Sequence, residues 1–138
     1  MELKKYKKYH KKKKILKLEQ CSLSIPKQGF YGLKSIECGV LTPQQLEASR
    51  RLISRITQRS GKILIKVKFE HPLTKKPLLS RMGKGCGSVD SWIAYLKKGK
   101  VIIELLGVSK KMAIIAFNAV RKRLPIQFEI IQREVIDA

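Results

Sequence analysis

The most regular alternation of apolar and polar positions is KILIKVKF, residues 62–69, where Ile63, Ile65, Val67 and Phe69 are interleaved with Lys62, Lys66 and Lys68. Successive side chains of a strand point to opposite faces, so this spacing predicts a strand with its apolar set inward and a cationic outer face. Shorter alternations predict strands at 36–40 (Ile36, Cys38, Val40), 89–96, 101–106 and 126–130 (Ile126, Phe128, Ile130). The Lys98-Gly99-Lys100 turn predicts that 89–96 and 101–106 pair as a hairpin. Two segments carry the helical period instead. Leu46, Ser49, Ile53 and Ile56, with Leu52 beside them, form one apolar stripe; Ala113, Ala116, Phe117 and Val120 form the other. Thr42 is placed to cap the first helix, with Pro43 at its first position and Gln45 completing a capping box; Gly61 predicts its stop after about Ser60. Ser109 is placed to cap the second, which ends before Pro125. Alternating rather than continuous apolar runs predict a mostly antiparallel sheet, open on one face, with both helices on the other. The expected fold class is therefore α+β, a two-layer sandwich.

The pattern breaks at 70–88, EHPLTKKPLLSRMGKGCGS, where two prolines and three glycines predict a long basic loop. Loops of this length inside a compact domain are usually functional or disordered. It also breaks at the N-terminus, where the first 17 residues hold nine lysines against one glutamate. Such a run repels itself and buries little, so it is expected to order only on a polyanion. The expected organisation is a basic extension over 1–28 and one globular RNA-binding domain over 29–138.

Charge narrows the partner. The 138 residues carry 31 Lys and Arg against 10 Asp and Glu, a net charge of +21 that would strain a free globule by self-repulsion. A nucleic acid is the natural counterion. Apolar runs such as VIIELLG fall far short of the roughly 20 residues of a membrane span. No secretory or transit signal is recognised at the N-terminus, and Cys21, Cys38 and Cys86 show neither disulfide nor zinc spacing. A reducing compartment is expected. The excess of Lys (23) and Ile (16) over Arg (8) and Ala (6) suggests an A+T-rich gene.

Candidate contacts follow from the cations. On the first helix Arg51, Arg55 and Arg59 recur every four residues with Arg50 adjacent, a ridge of like charges that costs an isolated helix a few tenths of a kcal/mol per pair. Glu47 offsets only the first of them, whereas guanidinium forks bind phosphate in pairs. With the ridge go Lys62, Lys66 and Lys68 on the next strand and Lys75 and Lys76 in the loop. In the tail the candidates are Lys4, Lys5, Lys7, Lys8, His10, Lys11, Lys12, Lys13 and Lys14, interleaved with Tyr6 and Tyr9 as base-stacking groups.

The glycine loop fails the nucleotide templates. Lys84 is followed by Gly85 rather than Ser or Thr, and Gly83, Gly85 and Ser88 miss the dinucleotide spacing. His71 reads as a surface loop residue, and no nucleophile elbow surrounds Ser88 to join it with His71 and Asp90. Cys86 reads as a small neutral filler rather than a reactive thiol. No catalytic, metal or cofactor site is expected. What remains is a loop of small bulk with Arg81 and Lys84, suited to insertion into folded RNA.

These residues resemble the family of large-subunit ribosomal protein sixteen from bacteria, plastids and mitochondria. The likeness is dense from Gly29 to Pro125: GFYGLK; Leu41, Thr42, Gln45, Leu46, Glu47, Ala48, Arg50 and Arg51; Gly61, Lys62, Ile63, Ile65, Val67 and Phe69; and Pro72, Thr74, Lys76 and Pro77 leading to RMGKG, its most specific signature. Trp92, Ala94, Gly99, Glu104, Gly107, Val108, Ala113, Ala116, Phe117, Leu124 and Pro125 continue it, and His10 matches the histidine of the family's basic start. The resemblance implies a structural constituent of the large ribosomal subunit, bound to its RNA, helping shape the transfer-RNA cleft near the peptidyl-transferase centre and complete late assembly. By it Arg81, Met82, Gly83, Lys84 and Gly85 would face transfer RNA in the acceptor and peptidyl sites, while Arg50, Arg51, Arg55 and Arg59 grip ribosomal RNA. Neighbouring large-subunit proteins are further implied partners. Two departures stand out: Cys86 replaces a usual lysine, and residues 15–26 are more apolar than the family's usual stretch. The latter would suit a protein-rich mitochondrial ribosome, and the A+T-rich composition without a recognised transit signal suggests a mitochondrial, organelle-encoded product, a plastid or bacterial ribosome being the other settings.

Two different readings make different predictions. A stand-alone RNA-modifying or nucleotide-using enzyme, with the glycine loop as active site, would bind nucleotide saturably. A free DNA-compacting protein would bind random DNA as well as structured ribosomal RNA.

Overall fold

The computed structural model describes residues 25–133 as an α+β sandwich with two helices and antiparallel strands throughout. The elements are β1 (Tyr31–Ser35), β2 (Gly39–Leu41), α1 (Pro43–Ile56), β3 (Lys62–Ile65), β4 (His71–Lys75), β5 (Ser88–Leu96), β6 (Val101–Leu106), α2 (Lys110–Arg121) and β7 (Phe128–Gln132). They make two sheets rather than one, in the orders β3-β6-β1-β7 and β2-β5-β4. The strand expected at 36–40 falls largely on the break between β1 and β2, only Gly39 and Val40 lying in β2, and the last strand begins two residues later than the alternation suggested.

The hairpin expected of 89–96 and 101–106 does not form. β5 pairs with β2 and β4, and β6 pairs with β1 and β3. The reason lies at the buried Ser35, whose hydroxyl donates to the carbonyls of Lys97 (2.7 Å) and Lys100 (3.3 Å) while its own carbonyl accepts from Gly99 N–H (2.8 Å). The Lys98-Gly99-Lys100 turn is thereby clamped onto the end of β1 and hands the chain from one sheet to the other.

The outer face of the larger sheet is open at β7, where Glu129 is exposed, but covered over β6. Val101 to Leu105 of β6 are all buried, and the main core gathers Leu33, Ile103, Leu105 and Phe128 with Leu46 and Ile53 of α1 and Ala113, Ala116, Phe117 and Val120 of α2. Glu104 points the other way and is covered. Its carboxylate, 2% exposed, accepts from the backbone N–H groups of Lys27 (3.2 Å), Gln28 (3.0 Å) and Gly29 (2.9 Å). Burial alone would raise this carboxyl, but the three amides, with Lys66 at 3.7 Å, hold it below its ordinary value. The chain leading out of the basic extension is therefore fastened across β6 by the Glu104 carboxylate, with Arg133 Nη1 donating to Lys27 O (3.0 Å) beside it.

α1 starts where its sequence says: Thr42 accepts from Gln45 N–H (3.3 Å) and Gln45 Oε1 from Thr42 N–H (3.0 Å). It ends earlier, at Ile56. Gln58 N–H donates to Arg55 O and Arg59 N–H to Ser54 O, the paired bonds of a Schellman cap, with Gln58 (φ 50°) in the left-handed position that glycine usually takes. The stop signal is hidden in a glutamine. Ser109 precedes α2 in extended conformation but makes no side-chain cap bond.

The two ends of the expected excursion at 70–88 are strand: its first part is β4 and its last residue opens β5. β4 pairs with β5 from His71↔Ile93 to Lys75↔Ser88, skipping Asp90 in a bulge, which leaves 76–87 as the loop. The result is a β-arm with the glycine-rich segment at its tip. Gly87 lets the arm close, since a Cβ there would lie 2.3 Å from Lys75 O.

Candidate nucleic-acid interface

Two cationic regions emerge, one on a helix and one at the tip of the arm. α1 presses Leu46, Ser49 and Ile53 into the core, which leaves its basic residues on the opposite side. Arg50, Arg51, Arg55 and Arg59 all line one open depression, together with Ser54 and Gln58. Arg59 sits beyond the helix end, in the left-handed conformation (φ 61°), and the Schellman cap keeps it beside the others. The four residues grouped by their sequence spacing thus line one depression, although the fourth is not helical. A second open depression is lined by Arg51 and Arg55 from the far side and by Arg123, which follows α2. Arg123 was not anticipated, because nothing local links it to α1; only the packing of the two helices brings it there. Arg51 and Arg55 thus form a wall shared by two basic hollows.

Glu47 lies at the N-terminal end of this wall. Its Oε2 accepts from Arg50 Nε (2.9 Å) and its Oε1 from Arg50 Nη2 (2.8 Å), a two-pronged fork, and Oε1 also accepts from Arg51 Nε (3.0 Å). The bonds from Arg50 and then Arg51 hold its pKa at about 2, and Arg50 is raised in return. One carboxylate serves both arginines. Arg51 nevertheless leaves 75% of its side chain exposed.

The lysines of the β3 region divide. Lys62 and Lys68 are exposed. Lys66, expected to face outward, reaches back to Gln28 Oε1 (2.6 Å) and Glu104, so it serves the anchor of the N-terminal segment. Ile65, expected inward, is 40% exposed at the end of a strand that stops there. Lys4 to Lys14 and His10 lie outside the described residues.

The arm tip has a different character. Gly83 (φ 101°), Lys84 (φ 54°) and Gly85 (φ 78°) are three consecutive left-handed residues, a turn that only glycine adopts freely. A Cβ at either glycine would meet nothing within 4 Å. Lys76 Nζ donates to Gly83 O, and Ser80 N–H to Pro77 O (3.1 Å), so the tip is braced from within. Leu78, Leu79 and Met82 are almost wholly exposed, and Arg81 and Lys84 stand among them. Lys75 is exposed at the root.

The imagined hydrolytic set does not assemble. His71 is not in a loop but opens β4, half-buried and edge-on to Tyr95 (4.8 Å between centroids), at the opposite end of the arm's ladder from Ser88. Four strand residues separate the rungs, roughly 13 Å. Among the described residues no helix is long and apolar enough to cross a membrane.

The family described as ribosomal protein L16p/L10e matches residues 1–131. A "Large ribosomal subunit protein uL16" of Buchnera aphidicola subsp. Cinara cedri is 45% identical over 108 residues, 78% of this chain and 79% of its own. The Coxiella burnetii protein of the same name is 44% identical over the same shares. That of Buchnera aphidicola subsp. Baizongia pistaciae is 46% identical over 99 residues, 72% of this chain and 73% of its own.

Proposed function

Because the chain belongs to the ribosomal protein L16p/L10e family, and so is a structural ribosomal protein rather than an enzyme, we propose that it binds large-subunit ribosomal RNA chiefly through the arginine face of α1. The observation that carries this is the convergence of Arg50, Arg51, Arg55, Arg59 and Arg123 on two adjoining hollows, outward from a helix whose other side is core. Five guanidiniums held this close repel one another in the free protein, and an RNA backbone supplies the charge that offsets them. Lys62, Lys68 and Lys75 add to the same attraction.

Two finer elements belong to this reading. The arm tip, with Arg81, Met82, Gly83, Lys84 and Gly85, serves as a finger toward transfer RNA in the acceptor and peptidyl sites. The basic extension 1–28 orders on RNA as it leaves the Glu104 anchor, and the domain over 29–138 is the bound body. Neighbouring large-subunit proteins cover part of the rest. The Lys- and Ile-rich composition points to a mitochondrial ribosome; the three relatives named above are bacterial, and bacterial or plastid ribosomes are the alternatives.

Sucrose-gradient sedimentation of a native extract tests the core of the proposal. The expected result is co-migration with the large subunit at low salt. A protein that stays at the top of the gradient contradicts it.

A further inference from the structure

Glu47 is the one acidic group among the residues lining the two hollows, and charge counting alone makes it an obstacle to phosphate. Its geometry says otherwise. All three of its hydrogen bonds go to arginines of the proposed interface, two to the fork of Arg50 and one to Nε of Arg51. Spacings of three and four place both partners on its own helix face, so the triad needs no help from the rest of the fold. Nε of Arg51 is occupied while both of its terminal nitrogens stay out of these bonds, and those terminal groups are the edge that a phosphate would meet.

We infer that Glu47 is a positioning residue: it fixes the directions of Arg50 and Arg51 before RNA arrives, so that their unused N–H groups already face the hollows. This rests on the proposal that the α1 face binds ribosomal RNA. Each long side chain that is not held must be ordered on binding, and that ordering weakens affinity. A carboxylate that prevents it can favour the binding of an anion despite its own charge.

The inference has the opposite sign to simple electrostatics, which makes it testable with the full chain and an in vitro transcript of bacterial large-subunit ribosomal RNA in filter binding over a salt series. Glu47→Gln adds one to the net charge of +21. If Glu47 positions the arginines, affinity falls about threefold to tenfold, the range for loosening one or two long side chains. In an Arg50→Ala, Arg51→Ala background, the same change no longer weakens binding. If Glu47 only repels RNA, Glu47→Gln tightens binding in both backgrounds, and the inference is overturned. An equal loss in both backgrounds also overturns it, since Glu47 would then act through the helix rather than through the two arginines. A thermal melt of each variant accompanies the titration. Separately, if Arg51→Ala with Arg55→Ala binds like the parent, the interface reading itself falls.

Discussion

The arginine face of α1 and the tip of the β4–β5 arm carry the same kind of charge on opposite kinds of support. On α1 the guanidiniums stand on a helix capped at both ends, with Ile53 fully buried beneath them and Glu47 tying two of them together. At the tip, Arg81 and Lys84 stand on a left-handed turn with Leu78, Leu79 and Met82 in the open. A packed helix fixes where charges are before a partner comes. A glycine turn fixes little beyond its own backbone and leaves apolar side chains that only an outside surface can cover. The difference teaches that net charge alone says nothing of how a basic protein presents its cations: one region is shaped in advance by packing, the other stands on an exposed turn.

Damage to the shared foundation should be felt most. Phe117 is fully buried where α2 meets the core, and Phe117→Ala should cost about 4 kcal/mol, read as a lower denaturation midpoint with loss of RNA binding. Glu104→Ala comes next, at about 3 kcal/mol, because it strips three amides of a charged acceptor. It should also speed hydrogen exchange at Lys27, Gln28 and Gly29. The sign with pH follows from its lowered pKa: the contribution is present above the ordinary carboxylate value of 4.5 and is lost as pH falls through the lower folded value. Parent and variant should therefore converge in stability as pH drops below 4.5.

Arg51→Ala with Arg55→Ala separates the two regions. Stability should stay within about 0.5 kcal/mol for these exposed groups, while the slope of log affinity against log salt for ribosomal RNA flattens by about two. The smallest effect belongs to the tip. Leu79 is 100% exposed, so Leu79→Ser should leave the denaturation midpoint within about 0.5 kcal/mol of the parent, whereas a comparable change at Ile53 would not.

Local signals in the sequence were read correctly where local physics decides. The Thr42–Gln45 capping box, the stripe Ala113, Ala116, Phe117 and Val120, and the antiparallel α+β class all follow from spacing. The features that were missed depend on distant partners. Ser35 redirects the turn after β5 because of bonds to residues more than sixty positions away, so the hairpin seemed natural and was wrong. Gln58 ends α1 in a conformation that its residue type does not announce. On the arginine face, the grouping of Arg50, Arg51, Arg55 and Arg59 was legible from their spacing, but Arg123 joins them only through helix packing, and Glu47 was read as a mere partial offset. Lys66 looked like one more outward cation until its partner Glu104 was seen.

The most direct measurement is photocrosslinking from Ser54, which lines the hollow between Arg51 and Arg55. A photoreactive residue there, in protein assembled into ribosomes, should crosslink to large-subunit ribosomal RNA. Crosslinks to protein alone would contradict the claim that this helix face is an RNA interface.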